Sequence, residues 1–242
     1  NLPPSNFAQP TMQVPSLFFG EELIWNETQR TEVKNVDAKG RLWMMTTFRL
    51  PDNPAWCKGG STNTFAQYYP IARSTRQMAY YDPKTKQTTL IDTCFGTHHA
   101  AYAEDQDDTI FVAGLGSGLS WFKAQVFEQT GDAQAAQGWC PAYYDVNGNG
   151  RYDKATDKLI ATNDYYITYN PKDRSVWYTS PGTPGLIIRM DLGANPPETC
   201  RAEAYAPPFN NPKAPGKLGY LPRGVDADRN GLIWTGLAGS GQ

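Results

Sequence analysis

The chain has 242 residues, with 22 Lys and Arg against 24 Asp and Glu and a net charge of −2. That balance leaves no basic footprint for nucleic acid, and no apolar run approaches the roughly 20 residues that cross a bilayer as a helix. Aromatic residues at 13%, with 22 Gly and 19 Pro, suit an all-β protein rich in turns and long enough for a large core.

Residues 1–30 read as a Pro-rich polar arm, in which Ser16-Leu-Phe-Phe-Gly-Glu-Glu-Leu-Ile-Trp25 is a candidate ring-closing strand. From there one pattern recurs. Asn35-Val-Asp-Ala-Lys-Gly-Arg-Leu-Trp43 reads as a strand, an Asp turn containing Gly, and an apolar pair ending in Trp. After an insertion from about Leu50 to Arg76 come a third strand, Met78 to Thr85 with an Asp turn, and a fourth, Gln87 to Thr93. Ala103-Glu-Asp-Gln-Asp-Asp-Thr-Ile-Phe111 repeats the opening with Phe as anchor and leads into the Gly114-Leu-Gly-Ser-Gly118 hairpin loop. Its acidic residues read as a solvated turn, and Gly131 to Gly138 as a short helical insert. Tyr169-Asn-Pro-Lys-Asp-Arg-Ser-Val-Trp177 follows, with strands at Leu186–Asp191 and Cys200–Tyr205. The clearest copy is Pro222-Arg-Gly-Val-Asp-Ala-Asp-Arg-Asn-Gly-Leu-Ile-Trp234, where Asn230-Gly231 supplies the positive φ of a tight hairpin.

The aromatic anchors stand 68, 66 and 57 residues apart. Four short antiparallel strands repeated with an aromatic signature predict a β-propeller of four-stranded blades. The expected units are an arm over 1–30 and blades over about 31–97, 98–162, 163–215 and 216–242, the last incomplete. Three and a half to four blades do not close a circle, so the natural protein is expected to be longer, with about seven blades. A chain that begins at Asn1 reads as a processed mature form.

The four Cys contain no Cys-x-x-Cys, which favours disulfides over zinc or haem attachment and places the protein outside the cytoplasm, periplasmic or secreted. In a four-stranded blade, the loop after strand two and the link to the next blade share one end. Cys57 and Cys94 both fall there and are expected to pair, closing a loop worth about 3 kcal/mol by chain-entropy arithmetic. Cys140 and Cys200 are expected at the openings of fourth strands in neighbouring blades and form the second pair. The same elaborated end carries the long insertion, the Asp92–His99 link and the Asp145 link, which marks it as the functional face.

Asp145-Val-Asn-Gly-Asn-Gly-Arg-Tyr-Asp153 carries oxygen side chains at positions 1, 3, 5 and 9, with Gly at 6, as calcium loops do. Asp145, Asn147, Asn149, the Arg151 carbonyl and Asp153 are the expected ligands. Thr156 stands at position 12, and Asp157 one residue later is a further candidate. The expected cofactor is structural Ca²⁺ of modest affinity. His98 and His99 are the only histidines. At most one of the two is expected to face the channel, because neighbouring residues on a strand point opposite ways. Counting back from the anchors aligns Glu32, His99, Tyr166 and Arg223 at one depth around the channel, as a ligand-binding ring for an anionic or metal-linked group. His99, His98 and Glu32 are the candidate catalytic groups.

Pro222–Trp234 resembles the blade repeat of the streptogramin (virginiamycin B) lyase-like propellers, which reads Pro-His-Gly-Ile, an Asp turn, then Gly-x-Ile-Trp. The chain also resembles uncharacterised secreted bacterial propeller proteins through Asp92-Thr-Cys-Phe-Gly-Thr-His-His99 and Pro207-Pro-Phe-Asn-Asn-Pro-Lys-Ala-Pro215. The first resemblance implies a seven-bladed propeller and metal-assisted cleavage of a cyclic depsipeptide. Arg223 and Ala100 stand where that repeat has His, and the lyases' catalytic His and Glu have no counterpart here. The leading expectation is therefore an extracytoplasmic propeller that binds a ligand or protein partner through its elaborated face. The alternatives are a metal-dependent lyase or lactonase-type hydrolase acting in the channel, with its metal unidentified, and a structural subunit of a secreted assembly. Association with a C-terminal half or with other subunits belongs to the same expectation.

Overall fold

The computed structural model describes residues 31–47, 49, 52–116 and 118–241. The expected strand at 16–25 lies outside them. Three four-stranded antiparallel sheets follow one another along the chain. The first holds β1 (Thr31–Val36), β2 (Leu42–Thr46), β3 (Met78–Asp82) and β4 (Gln87–Ile91). The second holds β5 (Ala100–Tyr102), β6 (Thr109–Val112), β7 (Gly118–Lys123) and β8 (Gln137–Pro141). After the small hairpin β9 (Tyr143–Tyr144) and β10 (Lys158–Leu159) comes the third sheet. It is built from β11 (Ile167–Tyr169), β12 (Val176–Ser180), β13 (Leu186–Asp191) and β14 (Arg201–Tyr205). A hairpin of β15 (Pro222–Ala227) and β16 (Ile233–Leu237) ends the described chain. Each sheet is a simple meander. The first strand β11 lies between the first strands β5 and β15, and β1 reaches β5 through Asn35 Nδ2, which donates to the Ala100 carbonyl at 3.4 Å. Meandering four-stranded sheets arrayed about their first strands are the blades of a β-propeller.

The blades cohere because their strands are apolar on both faces. Along β6, Ile110 and Val112 enter a core shared with the first blade, around Trp43, Met78, Phe95 and Trp139. Phe111 and the following Ala113 enter a second core shared with the third blade, around Trp121, Tyr178, Ile188 and Met190. Alternate side chains of one strand thus glue two neighbours, which explains why Thr109–Val112 reads as a continuous buried run.

The insertion after β2 is built, not slack. It holds a short 3₁₀ turn at Ala55–Cys57 and the helix α1 at Thr64–Tyr68. Asn63 caps that helix, its Oδ1 accepting from Phe65 N at 3.0 Å and Ala66 N at 3.1 Å. Phe65 then packs on Trp121 and Trp139 with ring centroids 5.5 and 5.3 Å away, carrying the first blade's insertion onto the second blade. Cys57 and Cys94 form a disulfide with Cα atoms 5.4 Å apart, and Cys140 and Cys200 form another at 6.3 Å.

Two local expectations differ. The helix in the second blade, α2, spans Ala124–Thr130, not 131–138. Gly131 ends it in the left-handed conformation at φ 67°, the usual place for Gly after a helix. Gly138 is already in β8, where a Cβ would sit 2.3 Å from the Trp121 ring. The fourth strand therefore starts at Gln137, and Cys140 sits near its end rather than at its opening, while Cys200 directly precedes β14. The acidic turn also does more than meet water. Asp105 Oδ1 accepts from Asp107 N and Thr109 N, and Lys123 Nζ reaches Asp107 at 2.8 Å.

Candidate functional site

The first strands begin at the elaborated end of the blades, and side chains just before or at those beginnings meet. His99 precedes β5, and its carbonyl accepts from Ala113 N at 2.9 Å. Tyr165 and Tyr166 precede β11, with Tyr166 N donating to Thr179 Oγ1 at 3.2 Å. Arg223 is the second residue of β15, anchored where Thr179 Oγ1 donates to its carbonyl at 2.7 Å. Three blades thus deliver one contiguous group. The His99 ring lies 4.8 Å from the ring of Tyr166 and 4.8 Å from that of Tyr165. The Arg223 guanidinium covers the Tyr165 ring at 4.4 Å and donates to its hydroxyl at 2.5 Å. Tyr166 and Arg223 are exposed, and His98, His99 and Tyr165 half-buried.

Of the four positions aligned by counting, the structure brings His99, Tyr166 and Arg223 together, with Tyr165 as the bridge between histidine and arginine. Glu32 lies in β1, but its side chain falls outside the described residues. Tyr165 was not singled out from the sequence. Its signal was adjacency to Tyr166, since at a strand's approach two successive side chains can lie on one side. The histidines show the same effect. Their rings contact each other at 4.4 Å, and His98 also reaches Tyr165 at 5.4 Å. The alternation expected of them does not apply, because β5 begins only at Ala100.

His98 also lines a cavity of about 580 Å³ between the first three blades. One wall is the segment Arg73–Arg76 at the end of the insertion, and the other is Gly114, Leu115, Asn163 and Asp164. Buried Asn53 holds the first wall. Its Nδ2 donates to the carbonyls of Ile71 and Cys94 at 3.1 and 2.7 Å, and its Oδ1 accepts from Ser74 N at 3.0 Å. Asp164 holds the second. Its carboxylate accepts from Gly116 N at 2.7 Å and from the Thr162 hydroxyl. Burial pushes the Asp164 carboxyl above its ordinary range, against the pull of Thr162 and the N–H groups of Gly116, Gly114 and Leu115. No periodicity of the sequence signals this cavity, since its walls are loops from three separate blades.

The Asp145 loop is the link from β9 to β10, and its Tyr152 packs on Tyr68 and Tyr69 of the insertion with ring centroids 5.8 and 6.2 Å away. Asp145 accepts from Asn149 N at 3.1 Å and Gly150 N at 2.7 Å. Asn147 Oδ1 accepts from Asn149 N, and Asn149 Oδ1 from Arg151 N. Asp157 accepts from Val146 N and Asp153 N at 3.0 and 2.7 Å, and Asp153 Oδ1 accepts from Ala155 N. Gly148 and Gly150 take φ of 70° and 73°, which bends the loop around these side chains. The donors are all oxygens, and each carboxylate oxygen that accepts one N–H keeps a second lone pair. The set therefore suits a hard cation in chemistry. Among the described residues, no group of three or more His, Cys, Asp or Glu is gathered closely enough to hold a metal on its own. The Asn oxygens and the Arg151 carbonyl would have to complete any shell. A cavity of about 490 Å³ adjoins the loop, bordered by Arg201 and Tyr143. Burial and the nearby carboxylates push the Tyr143 hydroxyl up to about 12.

No protein-family model matches the chain, nor does any curated protein sequence. Among solved structures, a gluconolactonase from Xanthomonas campestris aligns over 86% of this chain and 55% of its own, at 11% identity and a TM-score of 0.41. The extracellular domain of a hybrid two-component system from B. thetaiotaomicron aligns over 89% of this chain and 27% of its own, at 15% identity and a TM-score of 0.39. The chain thus spans about half of the first and about a quarter of the second. The class, a β-propeller, rests on the three meandering sheets themselves. Among the described residues, no helix is long and apolar enough to cross a membrane.

Proposed function

We propose that this protein is an extracytoplasmic ligand-binding propeller whose site is the His98–His99–Tyr165–Tyr166–Arg223 group at the mouth of the inner strands. The observation that carries the reading is convergence: five polar or aromatic side chains from three blades in unbroken contact, with a guanidinium at one end. Aromatic faces favour a planar or apolar ligand body, and Arg223 favours an anionic group on it. Two disulfides support a location outside the cytoplasm. Lyase or hydrolase chemistry would add a carboxylate beside His99, and Glu32 is the residue of this chain aligned for it.

The two histidines are the only ones in the chain, so their imidazole C–H resonances report on the site without ambiguity. Benzoate is the probe. Its addition is expected to shift both resonances in the wild type, and Arg223→Gln is expected to weaken the response at least tenfold. Resonances that stay fixed in millimolar benzoate and in a panel of aliphatic carboxylates would end the reading.

We also propose that Ca²⁺ occupies the Asp145 loop in a structural role, held by Asp145, Asn147, Asn149, the Arg151 carbonyl, Asp153 and Asp157. Asp145→Ala is expected to lower the melting temperature more in calcium buffer than in EDTA, because in EDTA it loses only the bonds from Asn149 N and Gly150 N, and in calcium a metal ligand as well. Equal destabilisation in both buffers would make the loop a metal-free turn.

A further inference from the structure

We infer that the cavity between the Arg73–Arg76 segment and the Gly96–His98 link is a second subsite, built for a small multivalent oxyanion. This rests on the ligand-binding reading above and deepens it, since His98 belongs to both places: it lines the cavity and its ring lies 5.4 Å from Tyr165. The cavity, at about 580 Å³, has room for a ligand of roughly ten heavy atoms with water. Among the described residues, its ionisable lining is Arg73, Arg76, His98 and Asp164. Arg73 is exposed at the rim, and the Arg76 guanidinium is oriented by donating to the Thr97 carbonyl at 3.3 Å. Arg73 and Arg76, three positions apart, bring two guanidinium-bearing side chains to one wall, and a guanidinium matches an oxyanion with forked donors.

Asp164 is the one carboxylate among the described lining residues. It is 7% exposed, and its oxygens are engaged by Gly116 N–H and the Thr162 hydroxyl. Its charge is therefore spent on holding the Gly114–Gly116 loop, and it does not face the Arg wall as a free competitor. The Arg wall is fixed before any ligand arrives. The Ser74 hydroxyl donates to the Arg76 carbonyl at 2.6 Å and accepts from Arg76 N at 3.2 Å. Ile71 N donates to the Cys57 carbonyl at 2.9 Å, directly at the disulfide to Cys94. A strap pinned at Ile71, Ser74 and Arg76 loses little freedom on binding, which is what a preformed site requires.

Isothermal titration at constant ionic strength, with citrate in one arm and inorganic phosphate in the other, tests this. At least one probe is expected to bind the wild type. Arg73→Gln is expected to weaken that binding at least tenfold, Arg73→Lys to restore only part of it because Lys keeps the charge and loses the fork, and Arg223→Gln to change it less than twofold. Binding of citrate alone assigns a carboxylate ligand, and binding of phosphate alone assigns a phosphorylated one. The inference is overturned if neither probe binds, if Arg73→Gln binds as the wild type does, or if Arg223→Gln rather than Arg73→Gln abolishes binding. That last result would leave the Tyr165–Arg223 site standing, and loss of the benzoate response with citrate or phosphate binding intact would do the reverse.

Discussion

The hairpins of the first and last described blades are the same turn in two settings. In the first, Asp37 N donates to the Arg41 carbonyl at 3.1 Å and Gly40 N to the Asp37 carbonyl at 3.0 Å, while Asp37 Oδ1 accepts from Lys39 N and Arg41 N, both at 2.9 Å. In the last, Asp228 N donates to Leu232 O at 2.9 Å and Gly231 N to Asp228 O at 2.9 Å, while Asp228 Oδ1 accepts from Asn230 N and Leu232 N at 2.8 and 3.0 Å. Even the anchor bond repeats: the indole N–H of Trp43 reaches Asp37 Oδ2 at 2.8 Å, and that of Trp234 reaches Asp228 Oδ2 at 3.3 Å. Burial separates them. Trp43 is 1% exposed and Trp234 65%. Trp43 has Tyr80 of β3 on one side and Phe122 of the next blade on the other. Arg41, which also bonds Glu128 of α2, lies over it at 5.3 Å. Leu232 stands in the place of Arg41, and among the described residues no further strand pairs with β16. The turn is thus set by a few local residues, whereas the energy of its anchor is set by what the next strand and the next blade lay over it.

The largest expected effect tests that division directly. Trp43→Ala removes a fully buried indole from between two blades and should cost about 3–5 kcal/mol. Trp234→Ala should stay within about 0.5 kcal/mol, as exposed substitutions do. Urea unfolding of both variants decides it, and equal losses would show that the indole–carboxylate bond, not the cover, carries the anchor.

A smaller effect separates the two aspartates by pH. Burial alone would raise the Asp37 carboxyl, but the Trp43 indole, Arg41 N–H and Arg41 guanidinium together hold it below its usual range. Asp228 is held low mainly by Leu232 N–H, with its side chain in solvent. A carboxyl lowered in the folded state adds stability above its unfolded pKa of about 3.9, and that stability fades as pH falls through the folded value. Asp37→Asn is therefore expected to flatten the acid limb of a stability profile below about pH 4 clearly more than Asp228→Asn does. Identical acid limbs would mean that the charged partner Arg41 adds nothing to the first turn.

The same division explains what could be read in the sequence. Asp37, Gly40 and Trp43, or Asp228, Gly231 and Trp234, write a hairpin within a few residues, so strands and blade order were legible from spacing. The pairing of Cys57 with Cys94 was legible because a meander fixes which loops share an end. Reading failed where position depends on packing across blades. Gly131 is the stop signal of the helix before it, but Ala124–Thr130 carries no capping side chain at its start to announce that helix. Arg73, Arg76 and Asp164 line one cavity only because the blades lie side by side, and no local pattern records that. His99, Tyr166 and Arg223 could be aligned by counting, since repeats place equivalent residues at equal depth. Tyr165, which joins them, lies one step out of that register.

The second blade offers the finest test of how far the turn is local. There Asp105 takes the role of Asp37, and Asp108 N donates to the Asp105 carbonyl at 3.1 Å. Asp108 holds the position of Gly40 and Gly231, with φ of 48° against their 80° and 85°. A residue with a Cβ is strained in that region, though Asp tolerates it better than most. Asp108 also faces Lys39 at 3.7 Å, with both side chains about two-fifths exposed, so the pair is worth little. Relief of strain should outweigh loss of the pair. Asp108→Gly is expected to gain a few tenths of a kcal/mol, up to about 0.5 kcal/mol, after the greater backbone freedom of unfolded Gly is subtracted. Gly40→Asp, which places the same strain in the first turn, should lose a similar amount. Melting temperatures measured on both variants should therefore move in opposite directions by a degree or two, on the order of 2–4 °C per kcal/mol for a domain of this size. If both fell, the Lys39 contact would outweigh the backbone, and the turn would not be the self-contained unit that its repetition suggests.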